Sequence, residues 1–454
     1  MKLKFLFSTI LVALSSASFA QTWSTDSIAM GTGYANDVFY ELKQGSTKYQ
    51  VGNDWHLAFQ MTAFPEPNFN AAIRASHAKK GVEVYVIKKS VSTSIFNNIT
   101  AADTVGFTDP SLQLSNVDTS WGTGAFYQNR NVLDPFSYGW GEYSMSSHHL
   151  MGTSVYLVKS GGNAYKLWVQ QYISNPSDSI KYTFRIAKLD GSNDRTIDLY
   201  RKSSNAVFTD RLFAYYNIDS NTIINREPSR HTWDMLFTQF RQNVMGPGGI
   251  MQPYNVTGVL TNQYVEVAEI RAVHVDDPIH LTSFKTYSRT TNIDEIGSDW
   301  KTYVNPGPSG YYQMADSTSY FIKTKTDNSY YQVYFTRFDG GSPAAQGKIV
   351  FNKRNLGSAL SVNKIASSAV TNWIVSPNPA NNTAAIMIDA KVAAPSARMI
   401  VTDMAGRIVS NTPIAIAAGM NGYSLNTATW PAGIYAVQIA GGDWKMSTRL
   451  AVAH

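Results

Sequence analysis

The chain has 454 residues, too many for one ordinary hydrophobic core, so size alone points to two or three domains. Charged residues make up only 15% of it against 44% hydrophobic and 13% aromatic, a profile that argues against a helical cytoplasmic enzyme. Cysteine is absent, which excludes disulfides, zinc–thiolate sites, iron–sulfur clusters, cysteine nucleophiles and an acylated lipoprotein cysteine, and the formal charge of +6 without Lys/Arg clusters gives no footprint for nucleic acid.

At the N-terminus Lys2 and Lys4 precede an apolar run from Phe5 to Leu14, followed by small residues up to Ala20. This is the pattern of a secretory signal peptide, residues 1–20, cut between Ala20 and Gln21. The run is too short to span a bilayer, and no later segment reaches about 20 apolar residues, so no transmembrane segment is expected.

The next two stretches repeat each other. "DVFYELKQGSTKYQVGNDWHLAF" (Asp37 to Phe59) has a counterpart in "LFAYYNIDSNTIINREPSRHTWDMLF" (Leu212 to Phe237), each a β-like alternation, a turn, a second extended piece and a phrase with Trp before Phe. Four further blocks follow in the same order. "GVEVYVI" from Gly81 answers "QYVEVAEI" from Gln263, and Trp121 answers Trp300. "SVYLVKSGGNAYKLWV" from Ser154 answers "SYFIKTKTDNSYYQVYF" from Ser319, and "IKYTFRI" from Ile180 answers "GKIVFNK" from Gly347. Five blocks in one order indicate a duplication. The predicted modules are 21–200 and 201–356, all-β, with antiparallel sheets packed in layers. Trp55 and Trp233 are expected to fill cores rather than to touch ligand.

Chemical signatures in these modules are sparse. H-E-x-x-H, G-x-S-x-G and a glycine-rich phosphate loop are absent, and the expectation is a binder and not an enzyme. "HVDDPIH" (His274 to His280) concentrates two imidazoles and two carboxylates, but alternation along a strand splits the set, so it reads as a surface turn. Tyr311-Tyr312 and Tyr330-Tyr331 offer aromatic platforms for a polysaccharide or protein, with one ring of each pair pointing inward.

After Leu356 a small, polar stretch reads as a linker, 357–372. The segment 373–454 then shows a compact β pattern: Pro377-Asn378-Pro379 at its start, an Asp403, Gly406, Arg407 turn, Gly433 and Tyr435 in "GIY", and Lys445 before the last alternation. It resembles the type A C-terminal sorting domain of the type IX secretion system of Bacteroidetes-type bacteria. The resemblance implies a small immunoglobulin-like sandwich, the secretion machinery as partner, and a secreted or outer-membrane-surface location.

The duplicated body resembles the HmuY family of secreted haem-binding proteins. That likeness is carried by Trp233, Asp234 and Phe237, by "YNVTGVLTNQYVEVAE" from Tyr254, and by "YFIKTKTDNSYYQVYFTRF" with "GKIVF". It implies a haem or haemoprotein partner, with an axial ligand after the central strand and another beyond the later Trp. These positions fall on His274, which can ligate iron, and on Asn305, a poor iron ligand; Met245 and Met251 offer substitutes. In the first copy the positions fall near Val91 and Phe126, and neither can ligate iron. The expected function is haem or tetrapyrrole capture by the second module, and the alternative is a surface adhesin or a glycan- or protein-binding module without haem ligands.

Overall fold

The computed structural model describes residues 22–62, 66, 69–175, 179–201, 208–245, 249–304, 310–324, 327–341, 345–358, 370–404, 406–441 and 444–453. The signal peptide and its cleavage point at Ala20 and Gln21 lie outside them, as does most of the linker. The chain is all-β, as expected, and divides into two compact units at Gly357/Ser358.

In the larger unit the strands of the first copy are β1 (Ser24–Ala29), β2 (Asn36–Tyr40), β3 (Thr47–Val51), β4 (Leu57–Gln60), β5 (Ile73–Ala75), β6 (Glu83–Lys88), β7 (Gly141–Ser144), β8 (His149–Gly152), β9 (Val155–Ser160), β10 (Asn163–Asn175) and β11 (Ser179–Lys188). Those that follow are β12 (Arg195–Arg201), β13 (Phe213–Asn217), β14 (Thr222–Ile224), β15 (Met235–Met245), β16 (Met251–Thr261), β17 (Val265–Arg271), β18 (Lys301–Val304), β19 (Tyr311–Met314), β20 (Thr318–Thr324), β21 (Ser329–Asp339) and β22 (Lys348–Ser358).

Their pairing repeats strand for strand. β6, β9, β10, β11 and β12 lie side by side in one sheet, and β17, β20, β21, β22 and β1 do so in another. The smaller sheets run β14-β13-β4-β5 and β3-β2-β15-β16. The opening hairpin of each copy therefore pairs with the other copy: β2–β3 joins β15 and β13–β14 joins β4, while β1 joins β22 and β12, at the junction of the copies, stays beside β11. One core draws on Leu57 to Ile218, and the other on Ile28 to Leu42 together with Met235 to Phe351. These pairings and cores run across the expected division at 200/201. Module A is continuous, about 57–224, and module B is assembled from the two ends of the body. A cyclic repeat does not fix where one copy stops, because each opening hairpin carries the same apolar alternation and fits either partner.

The Trp phrases lie on the two stretches where the chain crosses between modules, 52–56 and 225–234. The crossings are hydrogen-bonded alike. The His56 N–H donates to Tyr216 O (2.9 Å), and the Asp234 N–H to Tyr40 O (2.8 Å). The Ile218 N–H donates to His56 Nδ1 (3.1 Å), and the Leu42 N–H to Asp234 Oδ2 (2.8 Å). An imidazole and a carboxylate thus cap equivalent backbone donors. Burial lowers the His56 pKa to about 4 and raises that of Asp234 to about 7. Trp55 meets Tyr215 edge-on with centroids 5.0 Å apart, and Trp233 meets Phe39 in the same way at 5.1 Å. Both sit in the cluster that joins the modules, with Trp121, Phe213, Leu236 and Phe240.

The smaller unit has strands β23 (Val370–Ser376), β24 (Thr383–Ala390), β25 (Ala394–Asp403), β26 (Ile408–Ile416), β27 (Gly419–Asn426), β28 (Gly433–Gly441) and β29 (Trp444–Val452). A three-stranded sheet β23-β24-β27 and a four-stranded sheet β26-β25-β28-β29 enclose one core that includes Ile386, Ile388, Val401, Val437 and Leu450. Several motif residues have structural tasks. Asn378, beside the exposed Pro377 and Pro379, donates through Nδ2 to Arg449 O (2.9 Å) and accepts from the Ala451 N–H (2.8 Å). Asp403 accepts from the Arg407 N–H and Nε–H at 2.9 and 2.7 Å, and Gly406 supplies the positive φ of 79° that this turn needs. Gly433 begins β28, the buried Tyr435 donates its hydroxyl to Pro431 O (2.6 Å), and Lys445 pairs in register with Ala440.

Candidate functional site

The modules meet around a cleft with an inner and an outer chamber. The inner cavity, about 70 Å³, is lined by Trp55, Trp121, Phe213, Tyr215 and Phe240 together with charged groups. Asp37 and Arg226 form a buried ion pair at 2.8 Å, and Arg74 is paired with Asp118, whose side chain is 8% exposed. The Arg74 guanidinium also lies over the Trp121 ring, 5.1 Å from its centroid. The Trp121 Nε1–H donates to Thr261 O at 2.8 Å, which ties module A to module B beside the cavity. His77 Nδ1 is 2.6 Å from Val82 O, and its Nε2 accepts from the Asn116 N–H (3.3 Å). These partners fix the Nδ1–H tautomer, and burial holds the His77 pKa at about 4, so the ring is neutral and structural at neutral pH.

Two cations in this lining have no carboxylate of their own. Lys79 donates to the Tyr34 and Asn36 carbonyl oxygens, 4.0 Å from the Asp37 already held by Arg226. Arg241 makes no ion pair among the described residues, and its Nε is buried without a hydrogen-bond partner. Trp55 Nε1 and Ser76 Oγ are also buried without a partner, and Ser76 is only 3% exposed.

The outer chamber, about 540 Å³, shares Asn116, Asp118, Phe240 and Arg241 with the inner one and adds Gln113, Gln128, Gln242, Asn243 and Asp294. Its module A wall is the long insertion between β6 and β7. That wall is clamped to β5 by Asn116, which donates to Ala75 O (2.8 Å) and accepts from the Ala75 and Ala125 N–H groups (both 3.1 Å). Close approach requires Gly124, where a Cβ would stand 2.1 Å from Ile73 O. Its module B wall is the outer half of β15, just past the Trp phrase. Asn116 spends both acceptor sites of Oδ1 and one Nδ2 hydrogen on these bonds, while Gln113 Nε2 is buried without a partner, Gln128 and Asn243 are exposed, and Gln242 uses its Oε1 for the Ser298 hydroxyl and keeps its NH₂. The wall thus offers carboxamides with both donors and acceptors at hand.

The residues expected to hold haem iron are not gathered here. His274 is exposed on the loop after β17, with Nδ1 accepting from the Asp276 N–H at 3.2 Å. Met245 and Met251 face each other at the far end of the β15–β16 hairpin, 67% and 56% exposed. None of the three lines either chamber. Asn305 lies outside the described residues. Val91 is half-buried, and Phe126 is a core ring against Tyr156. His280 is buried, with Nδ1 2.9 Å from the Tyr287 hydroxyl and Nε2 3.1 Å from His274 O, so "HVDDPIH" is a turn as expected. Among the described residues no group of three metal-ligating side chains comes together. Of the Tyr pairs, Tyr330 and Tyr331 are both buried, and Tyr311 is exposed.

Arg241, Gln242 and Asn243 lie just past the repeated Trp phrase, which ends at Phe237. They and the amides of the β6–β7 insertion belong to no motif; a long insertion facing a polar strand end was the available signal.

A secretion system C-terminal sorting domain matches residues 375–453, and the chain is accordingly a secreted protein that reaches the cell surface by the type IX system. Among the described residues no helix is long and apolar enough to cross a membrane. No curated protein matches the chain. Among solved structures, the crystal structure of dimeric latent PorU from Porphyromonas gingivalis aligns with 61% of this chain and 31% of its own, at 9% identity and a TM-score of 0.17, which carries no argument about fold or function.

Proposed function

We propose that this type IX-exported chain is a binding protein without catalytic activity, and that its ligand is a sugar seated in the cleft between modules A and B. The supporting observation is the lining of the outer chamber. Gln113, Gln128, Gln242 and Asn243 place carboxamide donors and acceptors around a space of about 540 Å³, with the Phe240 ring in the same lining. A carboxamide matches a hydroxyl, which is itself donor and acceptor, and an aromatic face suits the apolar face of a sugar ring. The volume lies in the range of small-molecule sites.

Haem capture is the finer function that the HmuY resemblance suggests. It would rest on His274 with Met245 or Met251, and those side chains lie apart from the cleft. The two readings separate in one preparation. Trp55 and Trp121 line the inner chamber, so binding of a mixed oligosaccharide pool is expected to shift tryptophan emission of the mature chain, and Gln113→Ala/Asn243→Ala should reduce the shift at least about tenfold in apparent affinity. Haemin should give no Soret band that weakens in His274→Ala. A Soret band lost in His274→Ala, with emission unmoved by sugars, would reverse the assignment.

A further inference from the structure

We propose that the sugar taken by this cleft carries a carboxylate, and that Arg241 binds it at the junction of the two chambers; this deepens the sugar reading and rests on it. The inner lining holds Arg74, Lys79, Arg226 and Arg241 against the carboxylates of Asp37 and Asp118. Asp118 is taken up by Arg74 and Asp37 by Arg226, which leaves Arg241 and Lys79. Lys79 is spent on backbone carbonyls. Arg241 lines both chambers, so it is the cation that a ligand in the outer chamber meets first.

Three buried atoms independently call for an acceptor. Arg241 Nε, Trp55 Nε1 and Ser76 Oγ have no hydrogen-bond partner, and all three residues line the inner cavity. A buried donor left unpaired costs as much as a lost hydrogen bond, and a carboxylate oxygen is the acceptor that answers both an arginine fork and neutral N–H and O–H donors. Size sorts the rest. The inner cavity of about 70 Å³ admits a carboxylate but not a sugar ring, while the outer chamber admits the ring and supplies carboxamides for its hydroxyls. Asp294 on the outer wall bears the one further carboxylate. Burial raises its pKa, and it leaves Arg241 uncompensated because no ion pair joins them.

Isothermal titration of the mature chain with D-glucuronate, N-acetylneuraminate and D-glucose tests this. One or both acids should bind at least about tenfold tighter than glucose, a preference that weakens with added salt. Arg241→Gln should bring acid and glucose within about threefold of each other at an unchanged thermal midpoint, and Ser76→Ala should weaken the acid alone by several-fold if the arginine variant proves unstable. Glucose binding as tightly as either acid would overturn the carboxylate while leaving the sugar reading intact. Failure of all three to bind would overturn both.

Discussion

Replacing Trp233 with alanine is expected to lower the unfolding free energy of the body by about 3–5 kcal/mol, measured by urea denaturation. Trp233 is 2% exposed, meets Phe39 edge-on at 5.1 Å and lies 6.3 Å from Trp121 across the module boundary. Its loss opens a large void in a cluster fed by both modules, and the β2–β15 pairing next to it cannot collapse without shifting register. Trp55 is half-buried on the equivalent crossing, so Trp55→Ala should cost clearly less. Equal losses at the two sites, or a loss below about 1 kcal/mol at Trp233, would contradict the assignment of Trp233 as a junction anchor.

The second large effect concerns where the chain can be cut. A fragment of residues 52–230 contains every strand of module A, from β4 to β14, and is expected to give β-type circular dichroism and a cooperative thermal transition. A fragment of residues 21–200, the sequence-defined copy, lacks β13 beside β4 and carries β1 and β2 without their partners β22 and β15. It should show no cooperative transition, because those unpaired edges bury nothing. The reverse outcome, with 21–200 folding and 52–230 not, would mean that each copy closes on its own strands.

The duplication was legible because β-strands that bury one face must keep their alternation, so five blocks retained their order in both copies. The partner of each opening hairpin was not legible. Phe39 and Tyr215 carry the same kind of side chain into the same kind of slot, and sequence does not say which copy provides it. The sorting segment was the most readable part because its motif residues have local tasks: Asp403 and Arg407 close one turn, and Asn378 pins the strand that holds Arg449. The cleft was the least readable. Its residues come from an insertion at 110–128 and a strand end at 240–243, far apart in sequence, and amides become informative only when the fold sets them facing one space. His and Met stand out in a sequence as haem-type residues, yet His274 lies on the loop after β17 while Met245 and Met251 pair with each other at the far end of the β15–β16 hairpin.

The most direct measurement is a glycan array probed with the labelled mature chain beside the Gln242→Ala/Asn243→Ala variant, which alters only the module B wall of the outer chamber. The proposed function predicts a restricted set of bound glycans, lost from the array in the variant while its thermal midpoint stays that of the parent. Glycan binding that is identical in the variant, or no glycan bound by the parent at all, would contradict a sugar site between the modules.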